Sequence, residues 1–337
     1  RNNHTYLNPE KRENYLFNAR INGIEEADFI LLIGSNPRYE ATILNARIRK
    51  SYTQNKTKII SLNDVGDLTY PYKSLNGNIE IIKNIINDNH EVSNLIKEAK
   101  KPLIILGQSA LRSNSSKYIF ESIKSFLNKN NKISNEWNAL NVISENASTV
   151  GSFDLGLYKT EDGSNEVLKD LENNKFEIVY LLGQDSLKFN KKDEFIIYQG
   201  SHGDKGAEMA DIILPGAAYT EQNGYYTNLE GKLQKAYKAS YPPEEAKEDW
   251  LIINELAEFM NHRKLFNDKD ELDSSLLNQI NLFLEKDNSK IGSIIDNLTF
   301  ENEILSINTE DYYYSNAIAR ASKTMFECKS SKTKLKS

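Results

Sequence analysis

Asp28-Phe29-Ile30-Leu31-Leu32-Ile33-Gly34-Ser35-Asn36-Pro37 sets the architecture of this chain. Phe29 to Ile33 is apolar without alternation, the pattern of a strand covered on both faces, as in a parallel sheet. Gly34 and Pro37 then turn the chain. From Tyr39 to about Gln54, apolar residues fall at Ile43, Leu44, Ala46 and Ile48, with charges at Arg47, Arg49 and Lys50. That spacing predicts a helix. Lys58-Ile-Ile-Ser-Leu62 reads as the next strand. A strand, a helix and a second strand in this order predict a parallel β–α–β unit.

The pattern recurs downstream. Leu103 to Leu106 runs into Gly107-Gln108-Ser109, and Phe176 to Leu182 runs into Gly183-Gln184-Asp185. Glu194 to Tyr198 and Asp211 to Leu214 read as further strands, the latter ending in Pro215-Gly216. Helical spacing appears around Ile79–Ile86, Glu91–Lys100 and Lys117–Asn128. The alternation predicts an α/β fold with doubly wound, mostly parallel sheets. Glu244 to Met260 reads as an amphipathic helix whose acidic first turn suits the helix dipole. The expected units are residues 1–100, a first α/β unit; 101–260, a second; and 261–337, a mainly helical C-terminal extension with a basic tail. That tail, Lys329 to Ser337, reads as a solvated, disordered end, with a tether to an acidic neighbour as the functional alternative.

Composition bounds the chemistry. The 337 residues are 39% hydrophobic and 27% charged, enough to build substantial cores. No apolar run approaches the ~20 residues that cross a bilayer. A net charge of -6, from 42 basic and 48 acidic residues, argues against a nucleic-acid footprint. The single cysteine, Cys328, allows no internal disulfide and suits a reducing compartment. It also excludes the usual four-thiolate cluster and a cysteine-paired zinc site. His4, His90, His202 and His262 are dispersed and form no HxxxH pair.

The three glycine turns at Gly34, Gly107 and Gly183 follow predicted strands, where open α/β sheets bind ligands. A helix N-terminus there offers free N–H groups to a phosphate. They also read as plain strand-to-helix turns, because neither GxGxxG nor GxxxxGK[ST] is present. Gly200-Ser-His-Gly-Asp-Lys-Gly206 pairs His202 with Asp204, a combination capable of acid–base work. Its plainer reading is a turn whose glycines supply positive φ. Gly216 to Gly224, continuing through Tyr225 to Gly231, is too long for a tight turn and reads as a loop carrying a site or an interface. No GxSxG elbow is present. No catalytic, cofactor-binding or metal-ligating residue is assigned.

Several of these blocks together resemble the large iron–sulfur subunit of NADH:ubiquinone oxidoreductase, respiratory complex I. They are Gly23 to Ala41 with Leu44 to Lys50, Tyr198 to Ala207, Ala210 to Glu221, Asn228 to Gly231 and Glu248-Asp-Trp250. Asp311 to Tyr314, Ser322 to Met325 and Cys328 look like the mitochondrial form. The resemblance runs in order from about Asn14 to Cys328. It implies a molybdopterin-oxidoreductase-like, formate dehydrogenase-like fold. In such enzymes a strand followed by a G-x-N-P turn contacts the pterin-dinucleotide cofactor, and Gly34, Asn36 and Pro37 match that turn. It further implies a region without molybdenum and without a cofactor of its own. The iron–sulfur clusters are expected in an N-terminal part lacking here, possibly a separate polypeptide, and in partner subunits.

The implied role is a structural part of the peripheral arm, on the matrix side of the mitochondrial inner membrane, supporting electron transfer from NADH to ubiquinone. The implied partners are the N-terminal iron–sulfur part and other peripheral-arm subunits, with no nucleic acid and no direct membrane insertion. The alternative is a pterin- or nucleotide-binding oxidoreductase domain that retains a ligand near Gly34, Gly107 and Gly183. A free-standing NAD-binding protein is disfavoured by the missing glycine fingerprint.

Overall fold

Strand β1 (Phe29–Ile33) lies at the centre of a parallel sheet with β2 (Lys58–Ser61), β3 (Lys73–Ser74), β4 (Pro102–Leu106) and β5 (Leu140–Val142), in the order β3-β2-β1-β4-β5. The structure is a computed structural model that describes residues 6–9, 11–144, 146–157, 163–184, 187, 189–203, 205–287, 298–309, 314 and 316–334.

Side chains alternate across the sheet. Phe29, Leu31, Ile33, Ile104 and Leu106 pack with Ile82 and Ile85 of helix Glu80–Ile86, Val92 and Ile96 of helix Glu91–Glu98, and Ile119, Phe120 and Ile123 of helix Ser116–Lys129. Ile30, Leu32, Ile59, Leu103 and Ile105 face the other way and meet Leu44 and Ile48 of helix Thr42–Asn55. Helices therefore cover both faces, which explains the unbroken apolar runs. Each buried aliphatic side chain contributes roughly 1.5–3 kcal/mol.

The pairing redraws the expected units. β1 pairs with β4 from Phe29↔Pro102 to Ile33↔Leu106, so a boundary at residue 100 cuts through one sheet. The first α/β unit extends through β5. The physical reason is that β4 completes the open edge of β1, which leaves it no independent sheet to start. The expected helix Tyr39–Gln54 is broken at Ala41 into Pro37–Glu40 and Thr42–Asn55.

A second sheet comprises β6 (Ile178–Leu182), β7 (Phe195–Gly200) and β8 (Ile212–Pro215), all parallel. Leu181, Ile196 and Tyr198 form its small core. The long segment after Gly216 contains an antiparallel hairpin, β9 (Gly224–Thr227) and β10 (Leu233–Ala236). The expected helix from Glu244 begins only at Asp249, forming Asp249–Asn261. Glu244 adopts a left-handed φ of 45°, and Lys247 pairs with the end of β8, its N–H donating to the Pro215 carbonyl at 3.1 Å and its carbonyl accepting from Ala217 N–H at 2.8 Å, which keeps the chain out of the helix until Asp249.

Beyond residue 261, helices Lys269–Asp287 and Lys323–Lys334 bear out the helical reading of the extension. The basic segment is helical through Lys334, contrary to the expected disordered end, while Lys329 and Ser331 are exposed, as expected of a solvated one. Residues 298–309 return to the first sheet as an extended segment, placing Leu305 in its core at 4% exposure. No described helix is long and apolar enough to cross a membrane.

Leu32→Ala, at a fully buried position in β1, should lower the unfolding free energy by about 2–5 kcal/mol. Ile43→Ala, at a position 71% exposed on helix Thr42–Asn55, should change it by less than about 0.5 kcal/mol. Urea denaturation of both variants against the parent chain checks the difference.

Candidate functional site

The helix that follows β1 covers one face of the first sheet, and the helix that follows β4 covers the other. The strand order therefore reverses between β1 and β4, and the crevice outside their carboxyl ends is the usual ligand position in such a sheet. Gly34 and Gly107 both lie there, directly after their strands.

The two glycine loops touch each other at these strand ends. Gly34 has φ of 62°, and a Cβ added to it would fall 2.3 Å from the Ala110 nitrogen. A Cβ on Gly107 would fall 2.3 Å from the Gly34 oxygen and 2.5 Å from Ser35 Cβ. Gly107 N–H donates to the Ile33 carbonyl at 2.9 Å, and Ser109 N–H donates to that of Gly34 at 3.2 Å. These glycines let two backbones touch, which is the plain-turn reading of the motif.

The turn after β1 already holds an anion. Asn36 N–H donates to Glu40 Oε1 at 2.9 Å, and Ser35 Oγ donates to Glu40 Oε2 at 3.3 Å. Pro37, at the first helical position, has no N–H to offer. A phosphate placed at this turn would displace a carboxylate or meet its like charge. The arrangement therefore does not fit the phosphate of a pterin dinucleotide here. Asn36 donates through Nδ2 to the Val65 carbonyl at 3.1 Å, while its buried Oδ1 has no protein partner. An ordered water commonly satisfies such an atom.

The turn after β6 differs. Gly183 has φ of 59° with nothing within 4 Å of an added Cβ, so only its backbone conformation calls for glycine. Asp185, the third residue of that motif, lies outside the described residues.

The Gly-rich loop after β7 is a structural knot. Tyr198 donates its hydroxyl to the His202 carbonyl at 2.8 Å, and His202 Nδ1 lies 3.0 Å from Ser201 Oγ. Asp204, the suggested partner of His202, lies outside the described residues. Asp249 accepts from Gln199 Nε2 at 2.8 Å and from Gln222 Nε2 at 3.1 Å, and Tyr180 donates to Gln199. A Cβ on Gly216 would come within 2.8 Å of Asp249 Oδ1, so this glycine makes room for the carboxylate. Asp211 accepts the Ile196 N–H at 2.8 Å and Lys191 Nζ at 2.6 Å. Those hydrogen bonds, the backbone one foremost, hold its carboxyl below the ordinary aspartate range.

The Asn228-Leu-Glu-Gly231 block is an intrachain interface. The Leu229 carbonyl accepts from Phe17 N–H at 2.8 Å, and Glu230 accepts from Ile21 N–H at 3.0 Å. The Gly231 carbonyl accepts from Arg12 at 2.6 Å. Arg12 also clamps buried Asp154 through two hydrogen bonds of 2.9 Å, and Tyr15 donates to the same carboxylate at 3.0 Å. Sequence reading missed this clamp, whose members stand 142 positions apart. It also missed Glu40, although an acidic residue in the first turn after Asn-Pro is a recognisable capping signal.

The histidines do not converge. His90 caps helix Glu91–Glu98 by accepting from Val92 N–H at 3.2 Å. His262 ends helix Asp249–Asn261 in a left-handed conformation, and His4 lies outside the described residues. Cys328 is exposed on helix Lys323–Lys334. Among the described residues, no group of three or more His, Cys, Asp or Glu side chains is arranged to hold a metal ion.

The molybdopterin oxidoreductase family model matches residues 1–259. The NADH-ubiquinone oxidoreductase 75 kDa subunit of Reclinomonas americana is 36% identical over 96% of this chain and 48% of its own length. An NADH-quinone oxidoreductase subunit of the bacterium Rickettsia bellii is 38% identical over 98% of this chain and 48% of its own. The 78 kDa mitochondrial subunit of Candida albicans is 36% identical over 94% and 45%. The chain thus spans about half the length of the curated relatives it matches.

Gly183→Ala should cost about 1–2 kcal/mol, the penalty of a left-handed alanine. Gly34→Ala should cost about 1–3 kcal/mol more, because its Cβ also collides with backbone. Denaturant titration of the two variants reads the contrast. The Asp211 clamp contributes above the ordinary aspartate pKa and is lost as pH falls through the lowered value. An acid titration of Asp211→Asn beside the parent chain should show the variant less pH-sensitive below about pH 4.

Proposed function

This chain belongs to the molybdopterin oxidoreductase family, and we propose that it is a cofactor-free structural part of the peripheral arm of respiratory complex I. In this reading it supports electron transfer from NADH to ubiquinone without catalytic residues of its own. It packs against a cluster-bearing N-terminal part, on the same or a separate polypeptide, and against other peripheral-arm subunits. The clusters reside in those neighbours, and the assembly sits on the matrix side of the mitochondrial inner membrane.

The observation that carries the reading is the joint one at the strand ends. The chain keeps 36–38% identity to the complex I subunits over nearly all its length. At the turn that matches the G-x-N-P pattern, the Glu40 carboxylate takes the Asn36 N–H and the Gly34 and Gly107 backbones touch. Both features support a fold retained for packing. Packing affects redox chemistry without ligation, since solvent exclusion and hydrogen bonds to cluster sulfurs tune reduction potential.

Family membership also favours the retained-ligand alternative, a pterin or nucleotide at the same strand ends. The occupied N–H of Asn36 counts against it.

Affinity isolation of the tagged full chain from its native mitochondria, under mild detergent, separates the outcomes. The structural reading expects the chain in a large iron-containing assembly that oxidises NADH. Recovery of the chain outside any larger assembly, with no such activity in the fraction, would contradict it.

A further inference from the structure

Residues 300–308 cross the first sheet on its carboxyl side. Leu305 N–H donates to the Gly77 carbonyl at 2.8 Å, and Ile79 N–H donates to that of Glu303 at 3.0 Å. Asn63, just beyond β2, donates through Nδ2 to the Leu305 carbonyl at 2.5 Å. Ser109, just beyond β4, accepts from Asn308 N–H at 3.0 Å and donates back to its carbonyl at 3.3 Å. Ser115 makes the same two-way contact with Glu301, at 2.9 and 3.1 Å. Phe300 meets Tyr118 edge-on at 5.0 Å between ring centroids, with Lys83 Nζ 4.9 Å from its own ring centroid.

Two features separate this segment from the sheet beneath. Its polar partners, Asn63, Ser109 and Ser115, stand on loops or at a helix start, so no strand pairing in the sheet depends on it. Leu305 is its deeply buried side chain, whereas Glu301, Asn302, Ile304 and Asn308 are exposed. Gly77, at φ of 81°, makes room for the Asn63 amide that holds the segment: a Cβ there would lie 2.8 Å from Asn63 Nδ2, with Ile304 Cγ2 and the Leu305 oxygen at ordinary contact distances of 3.4 and 3.5 Å.

We propose that residues 300–308 form a releasable strap, docked across the carboxyl ends of β2, β3 and β4, that opens without unfolding the sheet. Docked, it ties the C-terminal helical part to the sheet rim. Open, it exposes Ser109, Ser115, Asn63 and the Gly77–Ile79 backbone as free hydrogen-bonding groups. This local opening is independent of the complex I reading.

Site-resolved amide hydrogen exchange on the full chain tests it. In the parent chain, the Ile79 and Leu305 amides should exchange more slowly than in a free peptide, yet about tenfold or more faster than those of β1 and β4. Leu305→Ala should speed both amides by about tenfold or more and leave β1 and β4 unchanged. Asn308→Pro removes a single N–H at an exposed residue, so it tests the strap even if the leucine variant folds poorly. It should speed them by about threefold or more. Strap amides that exchange at free-peptide rates in the parent chain would overturn the docking. Strap and β1 amides that share one rate in all three proteins would overturn independent release.

Discussion

Two-sided burial of β1 and β4 is the constraint on which the rest depends. Both strands are apolar at every position and buried throughout. Neither tolerates a solvent face, so helices must cover both sides, and the following helices leave toward opposite faces. That divergence puts the ends of β1 and β4 side by side at the point where a ligand would enter in a typical open sheet. Here Gly34 and Gly107 let the two loops meet instead, at distances no side chain would permit. The close approach of the two loops is thus a direct consequence of strand packing plus two glycines, with the Glu40 carboxylate accepting the Asn36 N–H at the turn.

Much of the first sheet was legible because burial leaves an unbroken apolar run, as in Phe29 to Ile33. β3 and β5 were not legible for opposite reasons. Lys73 and Ser74 are polar and exposed, and pair only with Ile60 and Ser61. β5 contains Asn141, which is fully buried because its Oδ1 accepts the Ala19 N–H at 2.9 Å. A polar residue at the centre of a three-residue strand hides the pattern. The misplaced boundary at residue 100 has a topological cause: nothing local to Leu103–Leu106 says that it returns to the free edge of β1.

The candidate site was legible in position but not in content. Glycines after strands pointed to Gly34, Gly107 and Gly183, yet only the folded chain separates touching backbones at the first two from open space at the third. The Asn228–Gly231 block left two readings open, a site or an interface. Its contacts with Arg12, Phe17 and Ile21 make it an interface within the chain. Such contacts join residues more than 200 positions apart, a separation that periodicity does not encode.

In the proposed reading, this chain keeps the molybdopterin oxidoreductase fold without a cofactor at the Gly34–Pro37 turn. The most direct test of that reading is a cofactor inventory of the natively isolated assembly, normalised to this chain. Molybdenum and tungsten are measured by elemental analysis, and pterin and nucleotide by denaturing extraction. The account predicts iron in the assembly, with molybdenum, tungsten and pterin far below one per chain and no nucleotide attached to this chain. One molybdenum or tungsten per chain together with an extractable pterin dinucleotide would contradict it.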